Sequence, residues 1–320
     1  MIELTLVSGY LGAGKTTWLE SRLRDDPAGV DVLVVNDFAD EGVDHLLLAP
    51  AVGSDAVVEV ITGGCVCCER LDDLSAVLLR LVGRRHRRSM LRDRPRVIIE
   101  TSGLADPRNI AQLLTDDPVL RTNVVLQTLV VVLDGVDGLR LLRHREQVRA
   151  QLAIADRVVL ARADLADPDT LGRLAGTVRL LNESAEIAAS AYGHEEAVTS
   201  RAPASPHDFD DEAAGNGPIR SWSVVLEPGT SWAEYAVWLD AVCRAHPRGL
   251  LRSKGIVPTP DGPLLVQSMG PGVAVPAAAE ESGGSPMVFI LSGIAPATLA
   301  RSLRTFVPSA FASDVSDAAQ

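Results

Sequence analysis

The sequence predicts an α/β protein in which a doubly wound, mainly parallel-sheet domain is followed by a smaller α+β domain. Three observations lead to this prediction. Runs of β-branched residues alternate with amphipathic segments up to about Ala191, a glycine-rich stretch follows the first run, and the composition changes between residues 193 and 218. Alternating strands and helices are typical of doubly wound sheets with helices on both faces.

Six runs of aliphatic and β-branched residues are expected to form the strands of the first domain. Because these runs are apolar almost throughout, both of their faces are expected to be buried, as in a parallel sheet covered by helices. The runs are Ile2–Val7, Val32–Val35, Val57–Ile61, Arg96–Ile99, Val124–Leu133 and Arg157–Leu160. The amphipathic segments between them are expected to be helices: Lys15–Arg24, Arg70–Leu81, Gly138–Ile154 and Thr170–Val178.

The change of composition predicts the domain boundaries. We expect a first domain over residues 1–192, a second over 219–308 and a frayed tail over 309–320. Residues 193–218 are rich in Ala, Ser, Pro, Asp and Gly, which predicts an exposed linker. The second domain is expected to contain strands Ile219–Leu226, Leu250–Val257, Leu264–Gln267 and Met287–Leu291, with helices Ser231–Arg244 and Pro296–Phe306.

Composition also limits the classes of function. The 320 residues include 30 Lys or Arg and 42 Asp or Glu, which gives a net charge of −12. Nucleic-acid binders usually carry a basic excess, so nucleic acid is not an expected partner. The hydrophobic content of 47% excludes wholesale disorder. The sequence has neither a signal-peptide pattern nor an apolar run of about 18–20 residues, so we expect a soluble, cytoplasmic protein with no membrane partner.

One basic run stands out on this acidic chain. It begins as Arg84-Arg85-His86-Arg87-Arg88 and continues with Arg92, Arg94 and Arg96. Such runs are usually solvated faces, and the alternative is a docking surface for an acidic partner.

The first strand leads into a stretch that fits the Walker A pattern of phosphate loops. The stretch is Gly9-Tyr10-Leu11-Gly12-Ala13-Gly14-Lys15-Thr16-Thr17. Glycines allow a tight turn whose N–H groups point into one anion-binding cup, and the helix starting near Lys15 adds its positive N-terminal end. Lys15 is expected to reach the β- and γ-phosphates, and the Thr16 hydroxyl to bind Mg²⁺.

Acidic residues follow two of the other strands. Glu100 begins the segment Glu100-Thr101-Ser102-Gly103, at the carboxyl end of a strand, where ligands bind in such folds. Glu100 is expected to hold the Mg²⁺ shell or orient the attacking water, and the Gly103 N–H to contact the γ-phosphate. Asp134 ends the next long strand and is expected to face the same ligand-binding edge; the alternative is that it caps the following helix.

Three cysteines lie together on a glycine-flanked turn, Gly63-Gly64-Cys65-Val66-Cys67-Cys68. Thiols at this spacing can converge on one soft cation, and Zn²⁺ prefers thiolate or imidazole ligands in a tetrahedron. Cys65, Cys67 and Cys68 would leave one position open, which suits metal exchange. The alternatives are a redox pair or small buried residues. Cys243 is expected to be a core residue.

The motifs together resemble the CobW-like P-loop GTPases, which are relatives of the urease and hydrogenase accessory GTPases. The phosphate loop, Val35-Asn36-Asp37-Phe38, the Cys-x-Cys-Cys signature and the segment from Glu100 to Pro107 occur in the family's order and spacing. Arg252-Ser253-Lys254-Gly255 resembles the basic turn of the family's C-terminal domain. The resemblance covers almost the whole chain and implies a P-loop GTPase domain followed by a CobW-type C-terminal domain.

This resemblance implies a GTP-dependent metallochaperone with slow GTP hydrolysis. Its cofactors would be GTP, Mg²⁺ and Zn²⁺ or another transition metal, and its partners a client metalloprotein or a second copy of the chain. Nucleotide contacts at Gly103 or near Asp37 would reposition the cysteine turn.

Two segments depart from the family's motifs. The usual Asn-Lys-x-Asp is here Ala161-Arg162-Ala163-Asp164, so Asp164 keeps the carboxylate that pairs with guanine and Arg162 replaces the lysine that packs on the base. The family's switch segment, usually Asn-Glu-Phe-Gly-Glu, is here Asn36-Asp37-Phe38-Ala39-Asp40, so both carboxylates are one methylene shorter and the glycine is lost. Asp37 is a candidate catalytic residue, and Asp37 and Asp40 are candidate ligands of Mg²⁺ or of the chaperoned metal. The alternative for Asp37 is a turn residue.

Two other classes of function remain open from the sequence. An ATP-dependent small-molecule kinase would also use a phosphate loop and would tolerate Ala161, but it gives no role to three clustered thiols. A non-enzymatic zinc-held scaffold explains the thiols and gives no role to Lys15 and Thr16.

Overall fold

The computed structural model describes residues 1–36, 48–54, 56–62, 70–86, 94–201, 219–247, 249–269, 272–273, 275–279 and 286–311. The chain divides into two compact units, Met1–Ala213 and Ala214–Gln320. Each unit has its own sheet and its own apolar core.

The first unit is built on an eight-stranded, mainly parallel sheet, which confirms the predicted fold class. The strands are β1 (Ile2–Ser8), β2 (Val32–Asn36), β3 (Val57–Ile61), β4 (Arg96–Glu100), β5 (Val124–Asp134), β6 (Arg157–Ala161), β7 (Glu186–Ala191) and β8 (His194–Ala197). Their spatial order is β3-β2-β4-β1-β5-β6-β7-β8, and β8 alone of these runs antiparallel to its neighbour. The carboxyl ends of β2, β4, β1, β5, β6 and β7 therefore share one edge, where ligands bind in such sheets.

Seven helices connect these strands in the described part of the first unit. They are α1 (Lys15–Asp25), α2 (Leu71–His86), α3 (Pro107–Asp116), α4 (Pro118–Asn123), α5 (Gly138–His144), α6 (Glu146–Ala153) and α7 (Pro168–Leu181). The basic run begins on the last turn of α2. Its residues 87–93 lie outside the described residues.

The prediction of one helix over Gly138–Ile154 is wrong, because the chain breaks at Arg145 into α5 and α6. The buried guanidinium of Arg149 donates to the carbonyl oxygens of Leu142 and Arg143, at 2.6 and 3.0 Å. These are carbonyls at the end of α5, which a continuous helix would have paired with backbone N–H groups. A side chain thus ends α5 without a glycine or proline in the sequence.

The strands β7 and β8 were not predicted. Their two-residue connection, Tyr192-Gly193, forms a tight antiparallel hairpin with Ala191 opposite His194. Glu195 secures the second strand, since its carboxylate accepts a hydrogen bond from the Trp18 indole N–H at 2.8 Å and pairs with Arg157. Residues 194–197 therefore differ from the exposed linker expected over 193–218. Residues 202–218 lie outside the described residues.

The second unit contains an antiparallel sheet and two helices. Its strands are β9 (Ile219–Val224), β10 (Leu250–Thr259), β11 (Gly262–Met269), β12 (Gly272–Val273), β13 (Ala277–Ala278) and β14 (Met287–Ser292), and its helices are α8 (Trp232–Ala245) and α9 (Pro296–Phe306). The sheet order is β12-β11-β10-β14-β9, with β13 beside β11. This arrangement confirms the predicted α+β domain.

The core of the second unit contains a group of aromatic rings among aliphatic side chains. Trp238 contacts both Tyr235 and Phe289, with ring centroids 5.6 and 5.9 Å apart. Cys243 is fully buried in the same cluster, as expected for a core residue. Ala310 is also buried there, in a short 3₁₀ turn over Pro308–Ala310, so the first residues of the expected tail are packed.

None of the helices formed by the described residues is both long enough and apolar enough to cross a bilayer.

Candidate nucleotide-binding site

The phosphate loop lies between β1 and α1, as the sequence predicted. Its glycines Gly9, Gly12 and Gly14 have φ values of 141°, 70° and 91°, in the region that side chains disfavour. A Cβ atom on Gly9 would lie 2.1 Å from the carbonyl oxygen of Val132 on β5. Only glycine therefore fits at the start of the loop, and the backbone is free to form a narrow anion-binding turn.

Lys15 is held over this turn. It is nearly buried, and its ammonium group donates to the carbonyl oxygens of Gly9 and Tyr10, at 3.0 and 3.3 Å. Since Lys15 is also the first residue of α1, its charge and the positive end of the helix act at the same place. The arrangement is suited to the phosphates of a nucleotide.

Thr16, in the first turn of α1, contacts Glu100, the last residue of β4. The Thr16 hydroxyl donates to Oε1 of Glu100 at 2.8 Å, and Glu100 is only 3% exposed. Pairing of Val7 with Glu100 in the sheet brings the end of β4 to the start of the phosphate loop. A hydroxyl and a carboxylate side by side are hard oxygen ligands of the kind that Mg²⁺ prefers, so this pair fits the expected magnesium ion.

The segment after Glu100 lies directly against the phosphate loop. A Cβ on Gly103 would lie 2.5 Å from the backbone nitrogen of Leu11, so this approach also requires glycine. Helix α6 supports the following residues: Gln151 donates to the Ala105 carbonyl at 2.8 Å, and Gln147 to the Leu104 carbonyl. The break at Arg145 begins a new helix, and it is this helix that carries both glutamines.

Asn36 joins three of the segments that the sequence analysis singled out. It is the last residue of β2, immediately before Asp37, and it is 4% exposed. Its side-chain amide donates to the Ile61 carbonyl at 3.1 Å, and its side-chain oxygen accepts the Ser102 N–H at 3.3 Å. Ile61 ends β3, just before the cysteine turn, and Ser102 precedes Gly103.

The strand β6 brings Arg162 and Asp164 to the same edge of the sheet. Arg162 has a left-handed backbone (φ 56°) and a side chain 44% exposed. Its guanidinium donates to the Gly12 carbonyl at 3.3 Å and pairs with Asp134. Asp164 is exposed.

Asp134 is not the cap of the following helix. The N-cap of α5 is Asp137, whereas the Asp134 carboxylate accepts the Val136 N–H at 2.9 Å and pairs with Arg162. The alternative that Asp134 caps this helix is therefore wrong.

Several predicted site residues lie outside the described residues. They are Asp37, Asp40, Cys65, Cys67 and Cys68. In the part of the chain that is described, no three His, Cys, Asp or Glu side chains converge in a way that could hold a metal ion.

Comparison with known proteins places these features in a family. The nucleotide-binding domain of the CobW/HypB/UreG family matches residues 3–189, and the C-terminal domain of the cobalamin synthesis protein CobW matches residues 219–307. The chain belongs to the CobW/HypB/UreG family. The first match covers most of the first sheet and ends within β7, and the second match covers the sheet and both helices of the second unit.

Individual relatives agree with this assignment. A zinc chaperone CobW of Sinorhizobium sp is 30% identical over 315 residues, which cover 84% of this chain and 85% of that protein. A zinc-regulated GTPase metalloprotein activator of Schizosaccharomyces pombe is 28% identical over 196 residues, 60% of this chain and 46% of the activator. This CobW-family chain therefore spans most of the first relative and less than half of the second.

A solved structure of a GTPase has a similar fold. The crystal structure of zinc-bound YjiA GTPase from Escherichia coli matches with a TM-score of 0.60, covers 95% of this chain and 98% of that one, and is 21% identical.

Some contacts of the site were not foreseen from the sequence. The sequence predicted no role for Asn36, although Asn36 is part of a family motif. Gln147 and Gln151 lie inside a segment for which the sequence predicted only a helix, from its periodicity. A signal for Asn36 existed, since a buried amide at the end of an apolar strand needs partners. Nothing in the sequence indicated which carbonyls it would reach.

Proposed function

We propose that this chain is a GTP-dependent metallochaperone that binds zinc or another transition metal and delivers it to a client metalloprotein. The observation that carries the proposal is the contact of Thr16 with Glu100, beside a phosphate loop closed by Lys15. A phosphate loop in this family needs an acidic partner for its metal ion and its attacking water, and among the described residues Glu100 is the carboxylate that Thr16 contacts.

In the proposed reaction Lys15 neutralises the β- and γ-phosphates, and Thr16 and Glu100 would hold Mg²⁺. The magnesium ion, when bound, neutralises charge on the phosphate oxygens. Glu100 also orients the attacking water, and the Gly103 N–H contacts the γ-phosphate. The segment Glu100-Thr101-Ser102-Gly103 carries neither arginine nor glutamine, so we expect slow hydrolysis that a client or a second copy accelerates.

Guanine is the proposed base. The exposed Asp164 carboxylate supports this, since it is free to accept the two N–H donors of guanine. Arg162 serves the phosphate loop rather than reading the base, because its guanidinium is engaged by Gly12 and Asp134.

Cys65, Cys67 and Cys68 are the proposed ligands of the transferred metal, with Asp37 or Asp40 as further candidates. Support comes from the thiol spacing and from relatives named as zinc chaperones. Three thiolates leave one tetrahedral position for a ligand of the client, which favours transfer over permanent binding.

Asn36 is the proposed link between nucleotide and cargo. The γ-phosphate contacts the loop at Gly103, the neighbouring Ser102 N–H bonds to Asn36, and Asn36 bonds to Ile61 at the base of the cysteine turn. A shift of the loop on hydrolysis would therefore reach the metal ligands through one buried side chain. A small shift at a residue that joins several segments is amplified when those segments have two packed arrangements.

The test is an anaerobic Zn²⁺ titration of reduced full-length protein, run without nucleotide, with Mg-GDP and with a non-hydrolysable GTP analogue. We expect different zinc affinities in the two nucleotide states, lost in Cys67→Ala and kept in Cys243→Ala, whose thiol is buried. Equal affinities would contradict the coupling and favour a zinc-held scaffold. Absence of zinc binding would favour an ATP-dependent kinase.

A further inference from the structure

The hairpin between β7 and β8 has an unusual residue at its tip. Tyr192 and Gly193 both have positive φ values, 52° and 90°, as two-residue hairpin loops of type I′ require. Asn, Asp or Gly is preferred at the first of these positions. Tyrosine is disfavoured there because its Cβ crowds the following carbonyl oxygen. Turn formation therefore does not explain the choice of Tyr192.

The tip lies at the edge of the sheet that carries the phosphate loop. The Ala163 N–H donates to the Ser190 carbonyl at 3.0 Å, which ties the hairpin to the turn holding Arg162 and Asp164. On its other side the hairpin lies against α1, since a Cβ on Gly193 would lie 2.2 Å from the Ser21 Cβ and 3.3 Å from the Thr17 carbonyl oxygen. The tip is thus placed between the residues proposed for the base and the helix proposed for the phosphates.

The Tyr192 side chain is exposed and has no packing role among the described residues. Its exposed fraction is 77%, the highest of the exposed large hydrophobic residues in the described part of the chain. An isolated exposed aromatic residue needs no explanation. Tyr192 differs because it lies on a strained backbone, and such strain clusters at ligand-binding sites.

We propose that Tyr192 is a base-stacking residue, whose ring packs on the face of the purine of the bound nucleotide. This inference rests on the proposed nucleotide binding. Tyr192 would supply a contact with the purine that two other residues do not make. Ala161 has no side-chain amide to contact the purine, and the Arg162 guanidinium is engaged by Gly12 and Asp134. Every base has a π-face, so stacking raises affinity for guanine and adenine nucleotides alike, and Asp164 remains the residue that discriminates.

Three variants of Tyr192 separate stacking from a structural role. Stacking predicts that Tyr192→Ala weakens GDP and ADP binding, each by roughly tenfold, and that Tyr192→Phe restores it. Tyr192→Asn supplies the preferred turn residue, so it is expected to raise the melting temperature while weakening GDP binding as much as alanine does. If Tyr192 only shaped the turn, GDP affinity would instead rise and fall together with the melting temperature.

The measurement is calorimetric titration of the full chain with GDP and ADP, with inorganic triphosphate as the ligand that lacks a base. Phe306→Ala is the control, because Phe306 is 65% exposed on α9 in the other unit. Triphosphate affinity should be the same in wild type and all variants. Unchanged GDP affinity in Tyr192→Ala, or an equal loss for triphosphate, would overturn the stacking role while leaving the proposed function intact. A wild-type chain that binds no nucleotide would overturn both.

Discussion

The side-chain amide of Asn36 donates to the carbonyl oxygen of Ile61 at 3.1 Å, across the neighbouring parallel strands β2 and β3. The oxygen of the same side chain accepts a hydrogen bond from the Ser102 N–H at 3.3 Å. Ser102 lies in the loop after β4, the other neighbour of β2. One buried amide therefore connects the base of the cysteine turn to the segment that lies on the phosphate loop.

If this connection transmits the nucleotide state, Asn36→Ala should abolish the difference in zinc affinity between the GDP and GTP-analogue states. Zinc binding itself should persist, because no thiol is removed. The substitution leaves a buried carbonyl and a buried N–H without Asn36, so we expect a loss of unfolding free energy of about 1–3 kcal/mol. Zinc titration in both nucleotide states, with urea unfolding, measures both effects.

Asn182→Ala is the matched control for this experiment. Asn182 is also a buried asparagine, and its amide donates to the carbonyls of Leu152 and Ala155 at 2.9 and 2.8 Å, away from the phosphate loop. It should lose similar stability and keep the nucleotide dependence. Loss of that dependence in both variants would mean that general destabilisation is the cause.

Glu100→Gln should separate hydrolysis from binding. Glutamine keeps the size and can accept from Thr16, but it has lost the charge that attracts Mg²⁺ and the basicity that acts on water. General-base catalysis contributes about 10²–10⁴-fold, so we expect a fall of about that size in kcat, with GDP affinity measured without Mg²⁺ nearly unchanged. Glu59→Gln, at an exposed ion pair with Arg80, should hydrolyse GTP like wild type. Full activity of Glu100→Gln would remove Glu100 from the proposed chemistry.

Asp164→Asn tests the choice of base. Hydrogen bonds to a charged group contribute about 1.5–3 kcal/mol, so GDP binding should weaken by about 10- to 100-fold while ADP binding changes little. Asp169→Asn is the control, because Asp169 is an exposed carboxylate that pairs with Arg201 at 2.8 Å. Competition of both nucleotides against a fluorescent analogue gives the ratio. Equal losses for GDP and ADP would show that Asp164 does not read the base.

The Cys243 thiol should resist alkylation in the folded protein. Burial raises the pKa of Cys243 to about 11, so at pH 8 roughly one thiol in a thousand is ionised. Mass spectrometry after brief iodoacetamide treatment should find Cys243 unmodified until the chain is unfolded. Rapid labelling in the native state would contradict its burial.

The same shift makes stability depend on pH. The raised pKa belongs to the folded state, so the contribution of the protonated thiol is complete below its ordinary value near 9 and is lost as the pH rises towards about 11. Cys243→Ala should lack this alkaline loss, which urea unfolding between pH 8 and 11 would measure.

Local patterns were enough to predict the phosphate loop and its surroundings. The residues from Gly9 to Thr17 are contiguous, and their preceding strand and following helix are visible from periodicity, so the chemistry follows from one short stretch. Glu100 was predicted for a similar reason, since a carboxylate that ends an apolar strand must lie at the sheet edge where ligands bind. The two-domain division and most strands of the first sheet followed from composition and alternation.

Helix boundaries and the β7–β8 edge of the sheet were harder to predict from the sequence. The break at Arg145 has no glycine or proline, and it depends on Arg149 taking up carbonyls of the preceding turn. The strand Glu186–Ala191 is alanine-rich, and alanine has a low preference for strands. Pairing with β6 and the contacts of Glu195 stabilise this edge, and no local pattern reveals them.

The sequence by itself determined that this chain has a phosphate loop, a carboxylate at the right strand end, three adjacent thiols and two domains, because each of these depends on neighbouring residues. Only the tertiary structure decided the partners of Asn36, the engagement of Arg162 by Asp134 and Gly12, and the position of Tyr192. These contacts join residues far apart in the chain, and a polar side chain at a strand end has several carbonyls within reach. Which one it bonds depends on strand order and register, and many distributed interactions together set that order.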